Sequence, residues 1–323
     1  MNVETVGTPL LWIGFTLFVL AMLGLDLGVF HRRAHAIHIR EALLWTLVWI
    51  SLALLFNLGV YFWFGPERGL EFFTGYLIEK ALSVDNIFVF LVIFSYFAVP
   101  AALQHRVLFW GVFGALILRA AFIVLGAALL QQFHWLIYVF GVFLVFTAVR
   151  LLLHRERGFH PERNPLFRYF RGLVPSISEY QGSRFTIARA GRRYATPLLL
   201  VLVAVEATDI VFAVDSIPAV FAVTRDPFIV YTSNIFAVLG LRALYFALAS
   251  LMEKFNYLRI GLALVLAFVG AKMMLADYYK IPILSSLAII AVVLTGAVLA
   301  SLIRPTVAHR ADSAADQPGE LKR

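Results

Sequence analysis

Apolar residues in this chain gather into long runs instead of alternating with polar ones. Nine such stretches cover roughly 10–30, 41–64, 72–98, 107–130, 134–153, 196–223, 228–251, 257–276 and 282–303. Each has about 20 residues or more, the length a helix needs to cross a hydrocarbon core. The strand-like period of two is missing, which argues against a transmembrane barrel. The pattern predicts an all-α polytopic membrane protein with nine spanning helices.

The polar intervals between these runs predict orientation. Segments 31–40, 99–106, 154–194, 252–259 and the tail from 304 together hold 19 Lys or Arg, whereas the alternate intervals hold only Arg68, Arg225 and Lys280. Positive charge is retained on the cytoplasmic side, so the N-terminus is expected outside and the C-terminus inside. Before the first span the only charge is Glu4, and His31-Arg32-Arg33 follow it. A cleaved signal would carry its positive charge in front, so the first helix is expected to be retained. The six Trp residues lie in the outer thirds of spans or just beyond, as interfacial anchors do.

Composition sharpens the class. Of 323 residues, 62% are hydrophobic and 14% charged, against roughly 45–50% and about 25% in soluble domains. A soluble enzyme, a disordered regulator and a disulfide scaffold are excluded. The net charge of +8 is explained by topology, so no nucleic-acid partner is expected. The chain has no cysteine, which removes disulfides and thiolate sites. The basic segment 154–195, broken by Pro161, Pro165 and Pro175, reads as a cytoplasmic linker with anionic lipid as a candidate contact. Within it, Arg184 to Tyr194 suits a small hairpin turning at Gly191, and the tail after Arg304 suits disorder.

Three segments recur in order. Val84-Asp85-Asn86-Ile87 matches Val214-Asp215-Ser216-Ile217. Phe113 to Arg119 matches Phe236 to Arg242, and Phe146 to Leu153 matches Phe268 to Leu275. By the orientation above, the two copies face opposite ways. Two inverted three-helix repeats, with a site near the midplane where they meet, are a common transporter plan. The expected organisation is 1–71 (two N-terminal helices), 72–153 (first repeat), 154–195 (basic loop), 196–276 (second repeat), 277–303 (ninth helix) and 304–323 (tail).

Six acids fall inside predicted spans: Asp26, Glu79, Asp85, Glu206, Asp209 and Asp215. Unpaired, they would cost on the order of 15–20 kcal/mol, more than most domains have to spare. They must pair, bind a cation, carry protons or line a wet cavity. Ion pairing with Lys80, Arg119, Arg242 and Lys272 is one reading, with snorkelling also open to Lys272. Asp26 has Arg32 and Arg33 nearby in the chain. A cation site is the other reading, with Asn86 and Ser216 adding neutral oxygens. Such a donor set suits Mn²⁺, Mg²⁺ or Ca²⁺, and the eight histidines all lie in loops or at their edges. Pro218 predicts a break over 214–218 that would re-aim Asp215.

The stretches GYLIEKALSVDNIFVFLVIFSYFAVPAALQHRVL and ATPLLLVLVAVEATDIVFAVDSIPAVFAVTRDPFIVYTSNIFAVLGLRALYF resemble the TerC family of integral membrane proteins, in particular its Alx-type manganese exporters. The resemblance covers nearly all of residues 1–305. It implies a place in the LysE-like transporter superfamily and a role in exporting Mn²⁺, with links to tellurite and alkaline-pH responses. It carries over Glu79, Asp85, Glu206, Asp209 and Asp215 as metal-binding positions. The expectation is a secondary transporter of the inner (cytoplasmic) membrane, not an enzyme, with Mn²⁺ as substrate and no resident cofactor. A different cationic cargo and a membrane scaffold or insertion factor are the alternatives; the oligomeric state is left open.

Overall fold

A computed structural model of the chain describes residues 5–30, 39–133, 135–153, 167–169, 172, 174–189, 192–248, 257–279 and 281–303. At 26–30, 85, 88, 258, 259 and 302 only the backbone is described. The side chains of Asp26 and Asp85, the turn at Gly191, most of 154–173 and the tail from 304 therefore lie outside the described residues.

The elements in chain order are α1 (Pro9–Phe30), α2 (Ile39–Phe64), α3 (Pro66–Tyr96), α4 (Ala101–Gln132), α5 (Leu136–Leu153), β1 (Thr186–Arg189), β2 (Arg192–Ala195), α6 (Pro197–Phe221), α7 (Pro227–Leu239), α8 (Leu241–Leu248), α9 (Leu258–Met274) and α10 (Ile283–Ile303). Helix starts follow local chemistry: α3, α6 and α7 each carry proline in the first turn, where its missing N–H costs nothing. Gly65, between α2 and α3, has φ of 95°, a turn that a side chain would strain.

Six described helices are long and apolar enough to cross a membrane: Ile39–Phe64, Ala101–Gln132, Leu136–Leu153, Pro197–Phe221, Pro227–Leu248 and Ile283–Ser301. Two more apolar helices, Pro9–Leu25 and Ile260–Met274, are shorter. The third predicted span is α3, a 31-residue helix whose apolar run is interrupted by Glu79, Lys80 and Asp85. The chain is thus a multi-pass helical membrane protein.

Burial sorts the helices. On α7 every residue from Phe228 to Leu239 except Tyr231 is buried, whereas α10 exposes Leu284, Val292, Leu299 and Ile303. Outward leucines and valines are what lipid requires, and a helix buried all round marks the centre of the bundle. Two of the polar residues that α7 takes inside are satisfied within the helix. Thr232 donates to the Phe228 carbonyl at 2.8 Å and Ser233 to that of Val230 at 3.1 Å. Asp226 caps the helix, accepting from the N–H groups of Phe228 and Ile229 at 2.9 and 3.4 Å. The same carboxylate accepts from Thr5 and from the Val6 N–H, both at 2.8 Å, tying the N-terminal segment to this end.

Helices α3 and α6 run in opposite directions. Thr224, just past α6, donates at 2.8 Å to Glu71, near the start of α3. At the other end, Tyr180 donates to the Phe97 carbonyl, just past α3, at 2.7 Å, and Thr196, just before α6, donates to that of Arg184 at 2.7 Å. Burial pushes the Tyr180 hydroxyl pKa up, keeping it a donor. The expected hairpin is present as β1 paired antiparallel with β2, with Arg189 opposite Arg192.

The expected break over 214–218 is not there. α6 is continuous from Pro197 to Phe221, with Pro218 inside it. Pro218 lies in the final turn, so the missing N–H removes one bond close to where the helix ends anyway. The interruption lies instead in the seventh predicted span, at Gly240 between α7 and α8. Finally, α5 packs on α9 at a glycine pair: a Cβ on Gly141 would lie 2.9 Å from the Gly270 carbonyl oxygen, and one on Gly270 2.7 Å from that of Gly141.

Candidate functional site

Arg119 of α4 stands at the middle of the packed helices, with none of its surface exposed. Its Nη1 donates to Glu79 of α3 and, at 2.7 Å, to the side-chain oxygen of Asn234 on α7. Its Nη2 and Nε reach the two oxygens of Asp209 on α6, at 3.2 and 3.4 Å. Asn234 closes the ring by donating to the second Glu79 oxygen at 3.0 Å. Glu79, Asp209 and Asn234 are also buried. Four helices are joined by one planar cation whose fork of donors matches carboxylate geometry. Two carboxylates against one guanidinium leave a formal charge of −1.

Beside this knot lies a cavity of about 70 Å³ between α3, α5, α6 and α9. Its polar wall is Glu79, Asn86, Thr147, Asp215 and Ser216, facing leucines and Phe212. Thr147 donates to Asp215 at 3.2 Å. The Ser216 hydroxyl is buried without a hydrogen-bond partner among the described residues. Four of the seven metal positions expected from sequence (Glu79, Asn86, Asp215 and Ser216) thus meet at one cavity.

Glu206 and Asp209 stand apart from it. Nine residues separate Glu206 from Asp215, about 13 Å along the α6 axis. Glu206 lies against Gly114 of α4, where a Cβ would come within 2.6 Å of both carboxylate oxygens, and its Oε2 is buried without a hydrogen-bond partner among the described residues. A second, smaller pocket of about 10 Å³ is lined by Phe90, Leu108, Gly111, Val112, Ala115, Val205, Asp209 and Leu241, room for about one water. Among the described residues no three acidic or histidine side chains converge as a preformed metal cage.

The expected cations divide into different roles. Arg119 is the ion-pair partner that the acids required. Lys80 donates to the Ala237 carbonyl at 3.3 Å, and its ammonium lies 2.9 Å from where a Gly240 Cβ would sit. It therefore sits at the carbonyl end of α7, where a positive charge is favoured. Arg242, on α8, is buried. Lys272, in the last turn of α9, is part-exposed. Sequence reading missed Asn234, Thr147 and the Glu71–Thr224–Asp226 group. Asn234 and Thr147 are neutral groups in apolar runs and carry no charge signal, although Thr147 sits inside a recurring segment. Glu71 and Asp226 fall in the intervals between predicted spans, where a charge is ordinary.

Comparison with known proteins follows the same lines. Residues 64–309 match the family described as "Integral membrane protein TerC family". The chain is 57% identical over 314 residues to "Uncharacterized membrane protein STKORF319" of Myxococcus xanthus, covering 97% of this chain and 98% of that protein. It is 49% identical over 319 residues to "Putative membrane-bound redox modulator Alx" of Escherichia coli (strain K12), covering 96% and 98%. It is 40% identical over 299 residues to an uncharacterized membrane protein of Rickettsia bellii, covering 93% and 99%. No solved structure matches.

Proposed function

Because the chain belongs to the TerC family of integral membrane proteins, we propose that it is a secondary transporter that exports Mn²⁺ across the cytoplasmic membrane. The observation that carries this reading is the cavity walled by Glu79, Asn86, Thr147, Asp215 and Ser216. All five offer oxygen, the donor that hard divalent ions select. Its volume of about 70 Å³ suits an ion with part of its water shell. Organic ligands take pockets of about 300 Å³ or more, which disfavours a cationic amino acid as cargo.

Asp215 and Glu79 supply the anionic ligands, and the hydroxyl and amide groups complete the shell. Moving a divalent ion out against an inside-negative potential costs about 4.6 kcal/mol per 100 mV. Exchange for two protons cancels that electrical term, so proton antiport is the coupling we favour. The inverted-repeat plan supports alternating access, and the opposed directions of α3 and α6 are consistent with it. The E. coli relative is named as a redox modulator; in a chain without cysteine such a role would be exercised through the ion it handles, not through a thiol pair.

The test is efflux. Asp215→Asn, confirmed to insert, should abolish Mn²⁺ export from loaded cells and Mn²⁺ uptake into inverted vesicles. Export at the parental rate from the inserted variant would overturn the site. Competition by Mg²⁺, Ca²⁺ and lysine in the same vesicles separates Mn²⁺ from the other cargoes. Retained biological activity after neutralising Glu79 and Asp215 would favour the scaffold reading.

A further inference from the structure

The two carboxylates that hold Arg119 face different cavities. Glu79 lines the larger one and Asp209 the smaller. Along α3, Phe90 of the smaller pocket lies beyond Glu79 and Asn86, toward the Phe97 end. Along the opposed α6, Val205 and Asp209 lie before Phe212 and Asp215, toward the Thr196 end. Both helices therefore place the smaller pocket nearer the end that carries Phe97, Tyr180 and Thr196, and the larger one nearer the Glu71–Thr224 end. The Arg119 knot touches both, through Glu79 in the larger and Asp209 in the smaller.

We infer that Arg119 is a tethered internal cation that closes the path between these two cavities and yields to the transported ion. The contacts divide in a way that permits such a swing. Nη2 and Nε hold Asp209, while Nη1 alone reaches Glu79 and Asn234. Releasing Nη1 frees the Glu79 carboxylate for the cavity and leaves the Asp209 pair in place. A divalent cation entering beside Asp215 supplies the push, because like charges a few ångströms apart in a low-dielectric interior repel strongly. Glu79 then exchanges one cation for another and is never left as a bare buried anion. The inference also explains why a buried guanidinium stands inside a cation path at all: without cargo, it is the cation that Glu79 and Asp209 share.

This rests on the transport reading, but its test does not use Mn²⁺. The chain has no cysteine, so single cysteines report access cleanly. Leu82→Cys marks the larger cavity and Ala115→Cys the smaller. Each is treated with a membrane-impermeant thiol reagent applied to intact cells and to inverted vesicles. With Arg119 present, each cysteine should react from one side at most, and the two should not share a side. With Arg119→Gln added, both should become reactive from both sides. Should that variant fail to insert, Arg119→Gln with Asp209→Asn removes the orphaned carboxylate and gives the same readout. Labelling that does not change when Arg119 is replaced overturns the gate. Loss of Mn²⁺ export as a property of the parent, with the labelling change intact, would overturn the cargo and leave the gate standing.

Discussion

The Arg119 knot and the Asp215 cavity are neighbours built from the same residue types, yet they are finished differently. Around Arg119, both Glu79 oxygens, both Asp209 oxygens and the Asn234 amide all have partners. At the cavity, Asp215 meets a hydroxyl, and Ser216 keeps a buried oxygen with no hydrogen bond among the described residues. A closed network fixes one arrangement of helices. A set of oxygens facing empty volume leaves room for a ligand. Carboxylates in a membrane therefore do not share a role merely because they share a helix: Asp209 and Asp215 are six residues apart on α6 and fall on opposite sides of this division.

Stability measurements can break the comparison. Arg119→Leu should have the largest effect, lowering stability in detergent by about 3–5 kcal/mol, since it leaves two buried carboxylates uncompensated. A denaturation midpoint close to the parent would mean that the knot does not hold the bundle. Gly270→Ala comes next, at about 1–3 kcal/mol, because its Cβ would lie 2.7 Å from the Gly141 carbonyl oxygen, backbone that cannot move aside, as well as against Val145. It should also impair ion transport, since α5 and α9 form one wall of the cavity.

Smaller effects sharpen the contrast. Thr147→Val keeps the shape and removes the donor to Asp215, so it should cost about 1 kcal/mol and weaken Mn²⁺ binding measured by calorimetry. Asp215→Asn should change the unfolding midpoint least while abolishing export. If it destabilised the protein as much as Arg119→Leu, the cavity would be a second structural knot and not a ligand site.

The acids were legible from sequence because a charge in an apolar run has so few acceptable explanations. Their need for Arg119 was legible for the same reason. Thr147 and Asn234 were not, since a hydroxyl or amide can satisfy itself on its own helix, as Thr232 does, and so signals nothing by its presence. The helix break was misplaced for a local reason. Proline interrupts a helix only where there is helix left to interrupt, and Pro218 has one turn left. The interruption at Gly240 has no proline to announce it, and Lys80, from another helix, meets the carbonyl end that it exposes.

Hydrophobic patterning determined by itself that this is a multi-pass helical membrane protein, because lipid forces every backbone polar group into local hydrogen bonds. Family membership was likewise readable in the two acidic stretches. Only the tertiary structure decided that Asp209 pairs with Arg119, that Asp215 lines a cavity and that Glu79 does both. That choice depends on which helices α3 and α6 meet across the bundle, and a sequence lists its charges without saying what stands opposite them.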